Sequence, residues 1–193
     1  WFLSNGATTG FGGMIALDGY SQFFKVLIAA TLAMAALLSV RTTDGEQVPR
    51  AEYHALLLLA ATGMMLAASA LDLLTLYLAL ELMTLCSYVL VGATVENPMS
   101  NEAAIKYFLL ASFASALLLY GISLTYGVTG STDFAAITSA LSEQGVSANP
   151  LLLVAVGLVT AGLAFKIAAV PFHAWAPDAY QGASAPVAAF LAA

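Results

Sequence analysis

Two charged residues lie in stretches of the sequence that are otherwise uncharged. Glu81 lies near the middle of the stretch Leu73–Ala93, and Lys166 lies within Leu151–Val170. Placing a charged side chain at the middle of a bilayer costs about 2.5–3.5 kcal/mol on insertion scales. Such groups therefore face the protein interior, find partners or line water. A buried structural ion pair is one interpretation, and ionisable groups on an ion path are the other, which we favour.

Hydroxyl groups surround Glu81 at helical spacing. Tyr77, Glu81, Thr84 and Tyr88 follow one another at intervals of four, three and four residues. This spacing places them on one helix face. A stripe of hydroxyls around a carboxylate can bind water and relay protons, although the same pattern also serves as a polar contact between membrane helices.

A proline follows Lys166 after five residues. Pro171 removes a backbone hydrogen bond, so we expect the helix to kink or break just after the lysine. Broken helices at membrane depth line protein or water-filled cavities and are typical of transporter sites. The alternative is that Pro171 ends the helix at the interface and Lys166 extends to the headgroups. Gly162, one turn before Lys166, permits close helix approach or water entry.

Two further titratable residues are candidates for proton movement. Lys106 lies four residues after Glu102, so an exposed ion pair near the headgroups is its simpler interpretation. It lies ~12 Å nearer the surface than Glu81, which excludes a direct contact but allows a chain of water. His173 has the side-chain type most often used in proton transfer, although it is also explained as an interfacial loop residue.

The composition is that of a membrane protein. Of 193 residues, 61% are hydrophobic and 8% are charged, and the mean hydropathy is +0.92. An ordinary soluble domain is about 25% charged, so soluble enzymes are excluded. The net charge of −6, without a basic cluster, argues against nucleic-acid binding. One cysteine and two histidines are too few for an iron–sulfur cluster or a zinc site, so no metal or cofactor site is expected in this chain.

The apolar stretches predict an all-α polytopic membrane bundle. We expect five full transmembrane helices, the last of them broken, and the start of another. Their predicted limits are Phe23–Val40, Tyr53–Ala70, Leu73–Ala93, Glu102–Val128, a fifth from Pro150 to Pro171, and a final start near Pro186.

The connecting segments carry their own signals. Asp72 is expected to cap the third helix, and the pair Asn97–Pro98 is a start signal for the fourth. A short amphipathic piece, Phe134–Leu141, is predicted to lie at the interface. Asp178 is predicted to lie in a Pro–Asp turn.

Few charges define the orientation. The connection Arg41–Glu52 holds two arginines, whereas the connection near Asp72 and the loop Thr129–Asn149 hold no Lys or Arg. The positive-inside rule therefore predicts that Arg41–Glu52 and Thr94–Asn101 are cytoplasmic, with Lys25 as a minor exception. Because the sequence starts with Trp1 and stops within an apolar run, we expect residues 1–193 to be one transmembrane domain from a longer protein.

Three stretches resemble one known family. They are DLLTLYLALELMTLCSYVLVG (Asp72–Gly92), NEAAIKYFLLASFASALLLYG (Asn101–Gly121) and GLAFKIAAVPFHAWAPDAYQ (Gly162–Gln181). The sequence resembles the antiporter-like membrane subunits of respiratory complex I, from about Gly12 onward. The stretch NEAAIKYFLL favours the subunit N branch over the L and M branches.

The resemblance implies more than the residues alone. Family members have about fourteen helices with two inverted five-helix repeats, so this chain would correspond to roughly the first repeat, lacking the leading helices and the second repeat. By the same resemblance Glu81 and Lys166 match the glutamate and the broken-helix lysine thought to drive proton movement, Lys106 matches the sixth-helix lysine, and His173 matches a histidine of the connecting segment.

These observations together give a functional hypothesis. The resemblance implies a proton half-channel in a proton-pumping NADH:quinone oxidoreductase of the bacterial inner membrane. NAD, FMN, iron–sulfur clusters and quinone would then belong to partner subunits, and the partners of this chain would be other membrane subunits, lipid and protons. An Mrp-type cation/proton antiporter subunit and a passive membrane scaffold are the alternatives.

Overall fold

The computed structural model describes residues 8–45, 48–144 and 149–192. This part of the chain contains a two-stranded antiparallel hairpin followed by eight α-helices. The strands are β1 (Thr8–Gly10) and β2 (Ile15–Leu17), joined by a short 3₁₀ turn at Phe11–Gly13. The helices are α1 (Gly19–Gly45), α2 (Arg50–Ala67), α3 (Leu73–Val91), α4 (Pro98–Thr129), α5 (Phe134–Gln144), α6 (Pro150–Lys166), α7 (Trp175–Gly182) and α8 (Ala185–Ala192).

The predicted helix start signals are confirmed. The Asp72 carboxylate accepts a hydrogen bond from the Thr75 amide at 2.9 Å and so caps α3. The Asn97 side chain accepts one from the Met99 amide at 3.0 Å, and Pro98 occupies the first turn of α4. Proline at this position costs nothing because its missing N–H would have no partner inside the helix. The helix predicted over Phe134–Leu141 is α5.

The long helices account for three of the five predicted membrane spans. Within the part of the chain that the structure describes, three segments are long and apolar enough to cross a bilayer, Gly19–Val40, Leu73–Val91 and Pro98–Thr129. The other two predicted spans are shorter. Helix α2 has 18 residues and carries Arg50 and Glu52 in its first turn, and the apolar α6 has 17 residues. At 1.5 Å per residue α6 extends ~26 Å.

The structure differs from the prediction in three places. Helix α1 continues through Gly45, within the segment predicted as a polar loop, while residues 46 and 47 lie outside the described residues. The hairpin was not predicted, because strands of three residues are too short to show alternation. The predicted Pro–Asp turn at Asp178 is wrong, since this residue lies in the first turn of α7.

The helices pack as a bundle in which α3, α4 and α6 are central to the site. Helix α2 packs along α3, α4 packs along α6, and α3 contacts α4. Helix α7 lies against α4, while α1 contacts both α2 and α8. The buried core contains a group of aromatic side chains, Tyr88, Tyr107, Phe165 and Trp175, contributed by α3, α4, α6 and α7. Helices α3, α4, α6 and α7 therefore contribute side chains to the same hydrophobic core.

The connections lie at two ends of this bundle, as the sequence predicted. At one end the Leu73 amide donates to the Thr132 carbonyl at 2.8 Å, which joins the α2–α3 connection to the segment after α4. At the other end Val48 and Glu52 share a cavity of about 170 Å³ with Val95. The cytoplasmic assignment of this second end stays a prediction.

Candidate functional site

An ion pair joins α6 to α3 inside the bundle. The Lys166 ammonium donates to Oε1 of Glu81 with an Nζ–Oε1 distance of 3.0 Å. The Lys166 side chain is 5% exposed and the Glu81 side chain is 20% exposed. The two charges found in the sequence are therefore partners, which is one of the outcomes that their predicted depth allowed. The alternative in which Lys166 extends to the headgroups is wrong, because its side chain is buried.

Two hydroxyls complete the surroundings of the pair. Lys166 also donates to the Thr84 hydroxyl, with Nζ and Oγ1 3.1 Å apart. The Thr84 hydroxyl donates in turn to the Leu80 carbonyl at 2.8 Å. From α4, the Ser115 hydroxyl donates to the same Oε1 of Glu81 that accepts from Lys166. Three helices therefore supply side chains to one polar cluster, which we define as Glu81, Thr84, Ser115 and Lys166.

Ser115 was not identified from the sequence. It lies in a long apolar helix, where small hydroxyl residues most often serve close helix packing. The structure identifies it, since Ser115 is 4% exposed and a buried hydroxyl needs a partner. That partner lies 34 residues away in sequence, so no local pattern could reveal it.

Helix α6 ends at Lys166, which confirms the predicted break. The Ala168 amide donates to the Phe165 carbonyl at 3.1 Å, and the Ala169 amide donates to the Ala164 carbonyl at 2.9 Å. These two bonds form a Schellman motif, with Ala168 in the left-handed region at φ +51°. Lys166 thus lies at the carbonyl end of the helix, where the helix dipole favours a positive charge.

The segment after the break is anchored by Trp175. Its indole N–H donates at 2.9 Å to the Phe165 carbonyl, which also accepts from the Ala168 amide. The indole stacks on Tyr107 with ring centroids 4.4 Å apart, and Tyr107 meets Tyr88 edge to face at 4.7 Å. Tyr88, a member of the predicted hydroxyl stripe, therefore contributes its ring to an aromatic cluster beside the ion pair.

Lys106 belongs to a separate charged group at the surface. Its ammonium lies 2.8 Å from Oε1 of Glu102 and 3.2 Å from Oδ2 of Asp178, and its side chain is 45% exposed. The pair with Glu102 was predicted, whereas the contact with Asp178 was not. The three side chains line an open cleft of about 200 Å³. Lys106 lies nine residues before Ser115, roughly 14 Å along α4, so it does not contact the polar cluster.

His173 lies between α6 and α7. It is exposed, and its backbone carbonyl accepts a hydrogen bond from the Ala176 amide at 3.0 Å. Within the described residues its ring makes no hydrogen bond to the polar cluster. The role in proton movement that the resemblance implied for His173 stays a prediction.

A family model provides the decisive comparison with known proteins. The model described as NADH:quinone oxidoreductase/Mrp antiporter, transmembrane, matches residues 70–193, which contain every member of the polar cluster. The chain belongs to this antiporter family. The resemblance read from the three sequence stretches is thereby confirmed, and the chain is a multi-pass membrane protein.

Relatives of the antiporter family extend the similarity over nearly the whole chain. NADH-quinone oxidoreductase subunit N of Desulfovibrio desulfuricans is 47% identical over 191 residues, which cover 97% of this chain and 38% of that protein. Subunit N 2 of Rhizobium meliloti is 45% identical and covers 94% of this chain and 37% of that protein. The chain therefore spans well under half the length of the relatives that it matches.

Chains of three solved membrane complexes have a similar fold. A chain of respiratory complex I from Thermus thermophilus matches with a TM-score of 0.77 at 40% identity, covering 96% of this chain and 39% of that chain. A chain of the archaeal membrane-bound sulfane sulfur reductase matches with a TM-score of 0.81 at 27% identity, covering 96% and 37%. A chain of the Mrp complex from Dietzia sp. DQ12-45-1b gives 0.72 at 29% identity, covering 91% and 32%.

Proposed function

We propose that this chain forms a proton half-channel in a membrane subunit of a proton-translocating NADH:quinone oxidoreductase. The observation that carries the proposal is the ion pair between Glu81 and Lys166, buried in the bundle where α6 ends. Burying an ionisable group inside a membrane segment costs free energy, so such groups are rare. Where they occur, they usually mark ion or proton paths. A broken helix beside them is typical of transport sites.

The mechanism we infer is electrostatic. A charge change in a neighbouring subunit weakens the attraction between Glu81 and Lys166, and Lys166 then releases its proton. Water, or Lys106 acting through water, restores the proton. Lys106 acts only through water in this scheme because roughly 14 Å of α4 separates it from the turn that carries Ser115.

Redox chemistry belongs to other subunits in this proposal. NAD, FMN, iron–sulfur clusters and quinone are expected in partner subunits, and this chain contributes proton movement to the shared enzyme. Its partners are other membrane subunits of the complex and the surrounding lipid. The bacterial origin of the subunit N relatives supports a place in the bacterial plasma membrane.

An Mrp-type cation/proton antiporter subunit is the second candidate function. The chain of the Dietzia Mrp complex supports it, since its fold is similar and its identity is 29%. The complex I chain from Thermus is 40% identical, and the relatives described above are named subunit N, so the redox-coupled reading is better supported. The two candidates differ in the driving force, which is NADH oxidation in one and an ion gradient in the other.

Native sizing tests which complex contains the chain. The full-length protein is solubilised gently from its own membranes, separated by native electrophoresis and assayed in the gel for NADH oxidation. We expect a large particle that oxidises NADH. A small particle without this activity, combined with sodium-dependent proton transport in vesicles, would assign the chain to the Mrp-type function instead.

Substitutions test whether the chain moves protons at all. If it were a passive scaffold, Glu81→Gln and Lys166→Met would preserve every activity, and neutralising both charges in one variant would leave stability unchanged or raise it. We expect both variants to assemble and to lose NADH-driven proton uptake in inverted membrane vesicles.

A further inference from the structure

Ser115 links α4 to the carboxylate of the ion pair. Its hydroxyl donates to Oε1 of Glu81, the oxygen that also accepts from Lys166 at 3.0 Å. We propose that Ser115 is a positioning residue that keeps Glu81 ionised and in place while the proton on Lys166 leaves and returns. The inference rests on the proposed proton-translocating function.

Ser115 is distinguished from Thr84 by the acceptor to which its hydroxyl hydrogen is donated. A hydroxyl carries one hydrogen, and that of Thr84 is donated to the Leu80 carbonyl at 2.8 Å. Thr84 therefore accepts from Lys166 and donates nothing to the Glu81 carboxylate. Among the described residues the Glu81 carboxylate receives two hydrogen bonds, one from the Lys166 ammonium and one from the Ser115 hydroxyl. Of these two donors to the Glu81 carboxylate, Ser115 is the uncharged one.

The importance of this donor depends on the state of Lys166. While Lys166 is charged, its ammonium holds the carboxylate by charge and by hydrogen bonding. When Lys166 has lost its proton, its attraction for Glu81 falls, but the hydroxyl of Ser115 still donates. A hydrogen bond donated to a carboxylate favours the ionised form over the neutral acid. Glu81 then acts as a fixed negative charge and does not take up the proton that Lys166 has released.

The position of Ser115 makes it a suitable support for the carboxylate. Its side chain is 4% exposed, so water does not compete for its hydrogen bond. Helix α4 packs along α6 and also contacts α3, the two helices that carry the pair. Ser115 can therefore hold Glu81 at a constant distance from Lys166 while the charge on Lys166 changes.

The test uses the full-length subunit in its native complex. Ser115→Ala removes the hydroxyl and nearly preserves the packing volume, and Ser115→Thr retains a hydroxyl. Thr125→Val is the matched control, since Thr125 is a buried hydroxyl residue of the same helix that donates to the Gly121 carbonyl of its own backbone at 2.9 Å. Assembly is checked by native sizing, and Ser115→Cys, a weak donor, is used if the alanine variant does not assemble.

Two readouts separate a positioning role from a packing role. The first is the initial rate of NADH-driven proton uptake in inverted membrane vesicles. The second is the infrared carbonyl absorption of a protonated carboxylic acid in difference spectra, assigned to Glu81 by its loss when Glu81→Gln is added. Loss of a hydrogen bond to a charged group shifts an equilibrium by about tenfold or more.

We expect Ser115→Ala to lower proton uptake at least about threefold, because the shift in equilibrium is of order tenfold. The same variant should gain the protonated-acid band, Ser115→Thr should recover uptake, and Thr125→Val should change neither readout. Lower uptake without the band, or the band with parental uptake, would each overturn the positioning role. If Glu81→Gln and Lys166→Met also leave uptake intact, the proposed function itself fails; if they abolish it, only the role of Ser115 is lost.

Discussion

At the scale of single residues, the buried charges of this chain are stabilised by neighbours from several helices. Lys166 has Glu81 and Thr84 as partners and lies at the favourable end of the α6 dipole. Removing one member of a buried pair leaves the other without compensation, typically at a cost of 3–5 kcal/mol. Assembly and proton uptake should therefore both be measured for Glu81→Gln and Lys166→Met, so that a loss of stability is distinguished from a loss of transport.

The surface lysine should behave differently from the buried one. Lys106 is 45% exposed and shares its charge with Glu102 and Asp178. Exposed pairs of this kind contribute about 0–1 kcal/mol. We expect Lys106→Ala to change the free energy of unfolding by less than about 1 kcal/mol and to slow proton uptake less than Lys166→Ala does. An equal or greater loss of uptake than in Lys166→Ala would contradict supply through water.

The sequence predicted the pair but only part of its surroundings. Two uncompensated charges at membrane depth are too costly, so a partner was one of the expected outcomes for Glu81 and Lys166, even though they are 85 residues apart. Ser115 and Asp178 escaped prediction for another reason. Each has an ordinary local explanation, as helix packing or as a turn residue, and only tertiary packing brings each to its charged partner.

At the scale of helices, the approach of α6 to α4 determines where Lys166 lies. A Cβ added at Gly162, one turn before Lys166, would lie 2.6 Å from the Leu118 Cβ and 3.0 Å from its Cα. The distance of 2.6 Å is too short for a real contact, so α6 would have to move away from α4. The predicted role of Gly162 in close helix approach is therefore confirmed.

A pair of alanine substitutions tests this approach. We expect Gly162→Ala to lower the free energy of unfolding by about 1–3 kcal/mol, as overpacking does, and to weaken proton uptake by displacing Lys166. Gly157→Ala is the control on the same helix, because no described atom lies within 4 Å of an added Cβ there. It should be neutral or stabilise by up to about 1 kcal/mol. Equal unfolding temperatures of Gly162→Ala and Gly157→Ala would contradict this prediction, because they would show that α6 can move away from α4 without a loss of stability.

The start of α3 gives a pH-dependent prediction. Burial raises the pKa of Asp72, but hydrogen bonds from the Thr132 hydroxyl and the Thr75 amide outweigh it, so the pKa is lowered overall. A carboxyl with a lowered pKa stabilises the fold above its ordinary value near ~4, and this stabilisation disappears as the pH falls below that value. Asp72→Asn should therefore flatten the fall in thermal unfolding temperature between roughly pH 5 and pH 3.

The comparison across pH includes its own control. Other carboxyl groups also titrate in this range, so the result is the difference between the parent and Asp72→Asn at each pH. Thr132→Val removes the hydroxyl that donates to Asp72 without changing the charge. In a chain that carries Thr132→Val, the pH-dependent difference caused by Asp72→Asn should therefore be smaller. Identical curves for the parent and Asp72→Asn would show that the cap adds no pH-dependent stability.

Local sequence signals predicted the helices better than the short segments between them. Caps and proline positions located the starts of α3 and α4, and Pro171 correctly indicated the break after Lys166. Helix α7 was missed because Pro177 and Asp178 were interpreted as a turn. Both residue types are also compatible with the first turn of a helix, and the packing of Trp175 on Tyr107 favours the helical form here.

At the scale of the whole molecule, the polar cluster lies where three central helices meet. Side chains from α3, α4 and α6 form it, and the aromatic cluster of Tyr88, Tyr107, Phe165 and Trp175 lies next to it. A charge change that moves α6 or the segment after it would therefore act directly on the ion pair. The composition and the apolar stretches were sufficient to predict a membrane bundle. The place where α3, α4 and α6 meet could be identified only from the packed structure.

The most direct test of the account is proton uptake by Lys166→Ala. The variant is introduced into the full-length protein, its assembly into the native complex is confirmed by sizing, and NADH-driven proton uptake is measured in inverted membrane vesicles. We predict that uptake is lost while the complex remains assembled, because the exchangeable proton has no carrier at the ion pair. Parental uptake in the assembled variant would contradict the assignment of Lys166 to the proton path.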